Sequence, residues 1–352
     1  MLPAILLITV AAYLNTFPNP FVWDDRSLIL GNERIRAWRN LGAIFSHTIP
    51  LGPLFGGTPS QAYRPLYELA LAVDYALWGT TPLGFHLTNV LLHLANVVLL
   101  LRLLCGFVPP WPAACTVGLW AVHPILTEAI TLVSARNHLL FALFVLAGLL
   151  LWRRGCATDT RHPWRWLIAG GACMTAGLLS HELAISFPLL ALLVHAAGGP
   201  ERPLGVRGAL AARAPAYAGL LLVAGAYLGL RLTVLPLGGP LRPGALLENL
   251  GPRLLFLPQL FTTYLGFILV PLHLSLDHGS AVRFPTSVLE PGVLGTGLFL
   301  VVLGTAAWRV RHRTWLPLLG LLWFAIALLP VSNLLPFYAV IGERYLYLPA
   351  AG

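Results

Sequence analysis

The chain has 352 residues, of which 57% are hydrophobic and only 10% are charged, whereas an ordinary soluble domain has about 25% charged residues. This composition, with a mean hydropathy of +0.78, excludes a soluble globular enzyme and a disordered chain. The net charge is +9 and all 22 basic residues are arginine. These arginines lie between long apolar runs and form no single basic patch, so no nucleic-acid partner is expected.

The apolar runs predict an all-α integral membrane protein, a single polytopic domain over residues 1–352 with about 10–11 spanning helices. A spanning helix needs about 20 mostly apolar residues. The run after Met1 has no basic segment before it, so it is predicted to be a short membrane helix and not a removed signal peptide. The predicted spans are roughly 2–16, 85–104, 111–127, 137–153, 165–180, 183–198, 215–235, 253–271, 290–308 and 315–331. A further apolar run begins at Tyr345, and we expect the chain to be truncated within it at Gly352.

The longest predicted loop between spans, about residues 17–84, follows the first helix. It begins with an aromatic and acidic segment, continues through Pro- and Gly-rich sequence, and ends in a helical pattern from Tyr63 to Trp78. This pattern predicts an interfacial helix that lies on the membrane surface.

The arginines predict which loops face the cytoplasm. The loops around 102–110, 153–165, 199–213 and 309–314 hold eleven of the 22 arginines but only two acids, Asp159 and Glu201. The positive-inside rule places these loops in the cytoplasm and the acid-rich loops on the opposite face, where we expect the chemistry. The topology fits this rule only if 253–271 lies at the outer surface or dips into the membrane and returns.

Asp24 and Asp25 are the first candidate functional residues. Two adjacent carboxylates at a membrane surface repel each other, which raises the pKa of one of them and favours a general base. The alternative is structural, with Asp25 as the N-cap of a helix through Ser27–Leu30.

Two acids at ends of predicted spans follow a histidine closely, in His123–Glu128 and His181–Glu182. A titratable acid at the hydrocarbon edge is a functional candidate. The alternative is an ion pair with Arg64 or Arg136 that ties helices together.

Near the end of the chain, Glu343 and Arg344 open the last apolar run. The planar guanidinium of Arg344 is suited to a lipid phosphate, although it could also anchor the helix. In the second span, His86 lies at the outer end, and a polar stripe of Asn89, His93 and Asn96 is better explained by hydrogen bonds between helices than by a ligand site. The motifs of soluble nucleotide binding are absent from the sequence.

Several stretches together resemble the membrane O-mannosyltransferases with tetratricopeptide repeats, the cadherin-type enzymes and their bacterial relatives. These belong to the C-type glycosyltransferase superfamily, with the protein O-mannosyltransferases. The stretches that carry the resemblance are FVWDDRSLILGN (21–32), YRPLYELALAVDYALWG (63–79), GFHLTNVLLHLAN (84–96), AVHPILTEAI…ARNHLL (121–140), SHELAISFP (180–188) and SNLLPFYAVIGERYLYLPAAG (332–352).

The resemblance implies a C-type glycosyltransferase fold with a large first outer loop. It implies an inverting enzyme that transfers a hexose, mannose by analogy, from a polyprenyl phosphate to a hydroxyl group of a protein or glycan. By position, Asp24 matches the base and Asp25 its neighbour, while Arg64, Arg136 and Arg344 match residues that hold the donor phosphate. The family usually has Lys where this chain has His181, and the family's C-terminal repeats are absent from this sequence.

These observations together predict a membrane enzyme of the bacterial inner membrane with a periplasmic site, in contact with membrane lipid. The predicted supporting residues are His86, His123, Glu128, His181, Glu182 and Glu343. A divalent cation at the acid pair is possible on the sequence, and no other cofactor is expected. Two alternatives remain open at this point: a lipid-linked-sugar transporter or flippase, and an inactive scaffold that keeps the fold.

Overall fold

The computed structural model describes residues 1–49, 62–198, 205–233, 250–278, 282–334 and 339–352. Residues 50–61 of the predicted outer loop, and Glu201 and Arg202 of one basic loop, lie outside these ranges. The α-helices of the described residues are α1 (Leu2–Ala12), α2 (Leu41–Ser46), α3 (Pro65–Trp78), α4 (Pro82–Leu104), α5 (Pro110–Ala121), α6 (Thr127–Thr131), α7 (Arg136–Cys156), α8 (Pro163–Ser180), α9 (Phe187–Ala197), α10 (Gly205–Thr233), α11 (Leu250–Leu269), α12 (Pro291–Val310) and α13 (Leu316–Leu328).

Four helical segments of the described chain are long and apolar enough to cross a membrane: Pro82–Leu104, Val133–Cys156, Gly205–Arg231 and Pro291–Val310. The bent pair Pro110–Ala121 and Pro124–Thr131, with 54° between its halves, makes a fifth if it is one broken span. Shorter apolar helices cover Leu2–Thr16, Glu182–Ala197 and Leu316–Val331. The predicted all-α membrane protein is confirmed, while the total of about 10–11 spans stays a prediction.

The centre of the bundle is α7, which packs against α4, α8 and α9. Just over half of the α7 span is buried (56%), compared with 11% of α12, whose exposed leucines and valines are suited to lipid. Glycines allow α7 and α8 to approach closely. A Cβ on Gly170 would lie 3.2 Å from the carbonyl oxygen of Gly148, and one on Gly148 would lie 2.7 Å from the Phe187 ring. Larger residues at these positions would therefore separate the central helices.

The basic loops gather at one end of this bundle. Arg153, near the end of α7, donates from Nη2 to the carbonyl oxygen of Gly106 at 2.9 Å, just beyond α4. The rings of Phe107 and Trp315 lie 5.7 Å apart, which brings the start of α13 to the same place. Arg213 reaches the backbone near the end of α7 at 3.3 Å. The described parts of the four basic loops therefore share one end, as the arginine pattern predicts.

The α3 helix has the two faces expected at an interface. Its acids Glu68 and Asp74 are buried against the protein, whereas Val73 and Leu77 are 40% and 67% exposed. Leu66, Leu69, Ala70, Val73 and Leu77 recur at helical spacing and form one apolar stripe on the outer side. This stripe is suited to contact with lipid. The opposite face of α3 is buried against the protein, where ion pairs and apolar contacts both hold the helix in place.

The chain turns back at the end of α5, deep in the bundle. Ala121 accepts a hydrogen bond through its carbonyl oxygen from His93 Nε2, at 2.9 Å. His93 lies about 16 Å along α4 from its first residue, which is roughly half the thickness of a bilayer core. Pro124 follows and begins a new helical turn, because a proline cannot continue the hydrogen-bond ladder of α5.

At the same depth, α11 ends. The carbonyl oxygen of Ile268 lies 2.9 Å from Nε2 of His123, just beyond α5. Only seven residues later, the backbone N–H of Ser275 donates to Glu343, which lies beside Arg344. These contacts bring the end of α11 to the middle of the bundle and the chain after it to the end that carries Arg344; the predicted path of 253–271 stays a prediction.

Candidate functional site

Asp24 lies at the end of the bundle opposite the basic loops, in an unusual stretch of backbone. The preceding residue, Trp23, has φ 48°, in the left-handed region that non-glycine residues rarely adopt. The carboxylate of Asp24 is partly exposed and makes no hydrogen bond or ion pair with the described residues. Burial raises the pKa of Asp24 above its ordinary value; the Arg344 guanidinium lowers it and the Asp25 carboxylate raises it again. The raised pKa and the lack of a partner among the described residues agree with the predicted base role of Asp24, which stays a prediction.

Asp25 has a different role. It is completely buried, and its Oδ1 accepts a hydrogen bond of 2.6 Å from the backbone N–H of Ser134. Its Oδ2 lies 3.4 Å from the backbone nitrogen of Val22, and its side chain makes no capping bond to the π-helix Arg26–Leu30 that follows it. The predicted N-cap bond is therefore wrong for this side chain, while its catalytic role stays a prediction. Asp25 holds the turn before α7 against the first outer loop.

Arg344 is held beside Asp24 by Glu128. The buried carboxylate of Glu128 accepts one bond from the backbone N–H of Arg344 at 2.8 Å and another from its guanidinium. The guanidinium also lies over the Tyr345 ring, 5.3 Å from its centroid, and the side chain of Arg344 stays 29% exposed. A partly exposed guanidinium with a fixed position can receive a phosphate.

A buried network holds the segment that carries Arg344. The Tyr347 hydroxyl lies 2.7 Å from Nδ1 of His93 and 3.0 Å from Nδ2 of Asn96. Trp120 donates its indole N–H to the carbonyl oxygen of Tyr347 at 3.1 Å. Asn89, the third member of the polar stripe on α4, donates to the carbonyl oxygens of residues 130 and 132. The prediction that this stripe makes hydrogen bonds between helices is confirmed.

The second cation of the site is Arg64, at the start of α3. It donates from Nε and Nη2 to the two oxygens of Glu182, at 2.9 and 2.7 Å. Burial acts to raise the pKa of Glu182, but the favourable charge and hydrogen-bond effects around the carboxylate, led by the Arg64 guanidinium, together hold the pKa far below its usual range. The pair therefore stays charged. It is the ion pair between distant helices that the sequence analysis gave as the alternative to a functional acid.

His181 does not replace the lysine that is usual in the resembling family. Burial, and then the Arg64 charge, hold the pKa of His181 well below its ordinary value. Its Nδ1 accepts a bond from the backbone N–H of Leu183 at 3.2 Å, and its ring lies beside that of His138, with 4.5 Å between centroids and 52° between the ring planes. A neutral imidazole in this position fills space next to Arg64 and Glu182 but supplies no positive charge.

Arg136, a predicted phosphate ligand, is fully buried and belongs to the scaffold. It pairs with Asp74 at 2.6 Å and donates to Oδ1 of Asn89 at 2.7 Å and to the carbonyl oxygen of Phe85 at 2.8 Å. Protein acceptors occupy Nε and Nη2 and no part of the side chain is exposed, which argues against the predicted role of Arg136 as a phosphate ligand.

Three other predicted supporting residues bind the protein itself. His86 Nε2 contacts the carbonyl oxygen of Asn19 at 3.1 Å, and His123 Nε2 contacts that of Ile268. Glu343 accepts from Nε2 of His278 at 2.9 Å, and burial raises its pKa. These side chains hold the loops around the site through their contacts with the protein.

Two tyrosines show that the charged residues converge. Burial raises the pKa of Tyr67, and Asp25, Arg136, Arg64 and Asp24 all act on this phenol. Burial also raises the pKa of Tyr345, and the charges of Arg344, Arg64 and Glu182 act on this phenol. Asp24 and Arg64 therefore both lie near enough to Tyr67 to act on it, and Arg344 and Arg64 both lie near enough to act on Tyr345.

The sequence reasoning missed Tyr67, Tyr345 and Arg231. The side chain of Arg231 is buried at the end of the apolar α10 and acts electrostatically on Glu182 and His181. An arginine at the end of a long apolar stretch is itself a functional signal, which could have identified Arg231.

The acid pair does not suit a shared cation. Within the ranges that the structure describes, no group of three or more His, Cys, Asp or Glu side chains is placed to hold a metal ion. Both oxygens of Asp25 face backbone N–H groups, so Asp24 alone offers a carboxylate here. Hard divalent cations prefer several oxygen ligands, and we therefore route no step through a metal.

Comparison of the sequence with known proteins shows which proteins this chain is similar to. The chain is 34% identical over 179 residues to the protein O-mannosyl-transferase Tmtc1 of Drosophila melanogaster, covering 51% of this chain and 20% of that protein. It is 29% identical to TMTC3 of Mus musculus, over 52% of this chain and 20% of that protein. For TMTC4 of Homo sapiens the identity is 25%, over 98% of this chain and 53% of that protein.

This chain is therefore similar in sequence to proteins named protein O-mannosyl-transferases. The predicted resemblance is thereby confirmed. The chain spans only about a fifth of the length of the first two relatives and about half of the third. No family model matches it, and no solved structure matches it.

Proposed function

We propose that this O-mannosyl-transferase homologue transfers a hexose, mannose by analogy with its relatives' names, from a polyprenyl phosphate to a hydroxyl group of a protein or glycan. The observation that carries the proposal is the free, partly exposed carboxylate of Asp24 beside the guanidinium of Arg344. The first is a base for the acceptor, and the second a counter-charge for the leaving phosphate.

The reaction is a single displacement at the anomeric carbon. Asp24 takes the proton of the acceptor hydroxyl while the acceptor oxygen forms a bond to the anomeric carbon. The bond from that carbon to the phosphate oxygen breaks, and its electron pair leaves with the polyprenyl phosphate. Arg344 and Arg64 stabilise the negative charge of the departing phosphate. One displacement inverts the configuration at the anomeric carbon.

The position of the site supports a lipid-linked donor. The basic loops lie at the other end of α7, whose 21 residues span about 30 Å. We therefore place the reaction on the non-cytosolic face, the periplasmic face if the protein is in a bacterial inner membrane. The exposed apolar stripe of α3 lies next to this face and would keep the site at the lipid surface.

The test is sugar transfer from a polyprenyl-phosphate sugar by the wild type and by Asp24→Asn, with Glu33→Gln as control for loss of an exposed acid in the same loop. Loss of a general base lowers turnover by about 100- to 10,000-fold. Because the pKa of Asp24 is raised, wild-type activity falls with decreasing pH earlier than for an ordinary aspartate base. The residual activity of Asp24→Asn should lack this acid limb.

Product analysis separates this proposal from its alternatives. We expect a product whose anomeric configuration is inverted, which NMR spectroscopy detects. Equal turnover in Asp24→Asn and wild type would refute the base role. Movement of the intact lipid-linked sugar across vesicles without transfer would instead establish a transporter.

A further inference from the structure

A second concave site lies at the opposite end of the molecule from Asp24. It encloses about 630 Å³ where α7 ends and α8 begins. The residues that line it are Arg154, Asp159, Thr160, Arg161, His162, Arg165, Trp166 and Ala169. We name this the α7–α8 pocket. The transfer reaction proposed above uses none of these residues.

The pocket carries an excess of positive charge. Three of its side chains are arginines, and Asp159 is its one acid. Asp159 pairs with Arg154 at 3.3 Å. Both side chains are at least half exposed, so this ion pair holds the two side chains only weakly. The side chains of Arg161 and Arg165 make no hydrogen bond or ion pair with the described part of the chain. Two guanidinium groups are therefore available for an anion.

Apolar surface continues from the pocket along α8. Trp164 is 58% exposed and Ile168, one helical turn later, is 64% exposed. Trp166, which lines the pocket, is 39% exposed. Tryptophan is enriched where a membrane meets water, and an exposed isoleucine next to it is suited to an acyl chain. The first turn of α8 adds the partial positive charge of a helix N-terminus.

We infer that the α7–α8 pocket binds the phosphate headgroup of an anionic lipid in the leaflet opposite to Asp24. Arg161 and Arg165 bind the phosphate oxygens, and the acyl chains lie along Trp164 and Ile168. Guanidinium groups suit this ligand because their planar donors match phosphate oxygens in pairs. A soluble phosphate compound would not use the exposed apolar surface, which is why the lipid is favoured.

The experiment is a lipid titration of the detergent-solubilised protein, followed by native mass spectrometry. We expect phosphatidylglycerol to bind at least tenfold more tightly than phosphatidylcholine. The double variant Arg161→Gln/Arg165→Gln should weaken phosphatidylglycerol binding by about fivefold for each guanidinium removed. Arg161→Lys/Arg165→Lys keeps the charge but loses the paired donors, and should give an intermediate affinity.

The control removes two exposed arginines elsewhere on the same end, in Arg102→Gln/Arg313→Gln. Retained phosphatidylglycerol binding in this variant supports the pocket; an equal loss shows a diffuse charge effect and overturns the proposal. Absence of a preference for the anionic lipid also overturns it. Glycerol 3-phosphate and inorganic phosphate are titrated as competitors. If either binds as tightly as the lipid, the ligand is a soluble phosphate and the lipid assignment is wrong.

Discussion

The buried pair of Arg136 and Asp74 allows a sharp test of what Arg136 does. Their side chains are 0% and 3% exposed, and the two charged atoms lie 2.6 Å apart. Arg136→Met leaves the Asp74 carboxylate buried without its counter-ion. Removing one partner of a buried pair destabilises a protein by about 3–5 kcal/mol. We expect a loss of this size, measured as a lower midpoint of thermal unfolding in detergent.

A second substitution should restore part of the loss. Asp74→Asn removes the stranded charge and keeps an acceptor for the Thr88 hydroxyl, which donates to Asp74 at 2.8 Å. The double variant Arg136→Met/Asp74→Asn should therefore be more stable than Arg136→Met by about 2 kcal/mol. Rescue stays incomplete because Asn89 and the carbonyl oxygen of Phe85 still lack their donor.

The pH dependence of Arg136→Met gives an independent check. Burial raises the pKa of Asp74, and the Arg136 charge lowers it. Without Arg136 the pKa rises further, so the penalty is present above this pKa and is relieved as the pH falls through it. The variant should therefore lose less stability, relative to wild type, at mildly acidic than at neutral pH.

Sugar transfer decides between the scaffold role and phosphate binding. In the scaffold role, activity of the double variant recovers together with its stability. The reasoning is refuted if the two substitutions are additive within about 0.5 kcal/mol. It is equally refuted if Arg136→Met keeps its stability but raises the KM for the lipid-linked donor.

Two further predictions concern the residues that position the cations. Glu182→Gln leaves Arg64 without its charged partner. We expect the free energy of unfolding to fall by about 1–3 kcal/mol and turnover to fall at least tenfold. Unchanged kinetics would show that Arg64 does not belong to the site. Tyr347→Phe removes the hydroxyl that contacts Nδ1 of His93 and Nδ2 of Asn96, and should lower the unfolding midpoint and kcat together. Tyr75→Phe, on the half-buried side of α3, is the matched control, and an equal effect there would contradict the network.

Several features of this molecule were predictable from local sequence. Long apolar runs with few charges require helices, because a backbone in lipid must satisfy its own hydrogen bonds. The arginine pattern correctly grouped the basic loops, as the contacts of Arg153 and Arg213 show. The periodicity of 63–78 predicted a helix, which the structure gives as Pro65–Trp78.

The roles of individual charged residues were not predictable in this way. Arg136 and Arg344 are both arginines next to family-like motifs, but one meets Asp74 and Asn89 and the other stays partly exposed beside Asp24. Asp24 and Asp25 are adjacent in sequence, but only Asp25 meets the backbone of Ser134.

Composition, periodicity and the order of charges along the chain determined that it is helical, that it suits a membrane and that its basic loops share one end, because these properties follow from the apolar runs and the charges between them. Only the tertiary structure decided which carboxylate is free and which guanidinium groups are available. A charge is neutralised by whichever partner lies within a few ångströms, and the partners of Arg64 and Arg344 are 118 and 216 residues away along the chain.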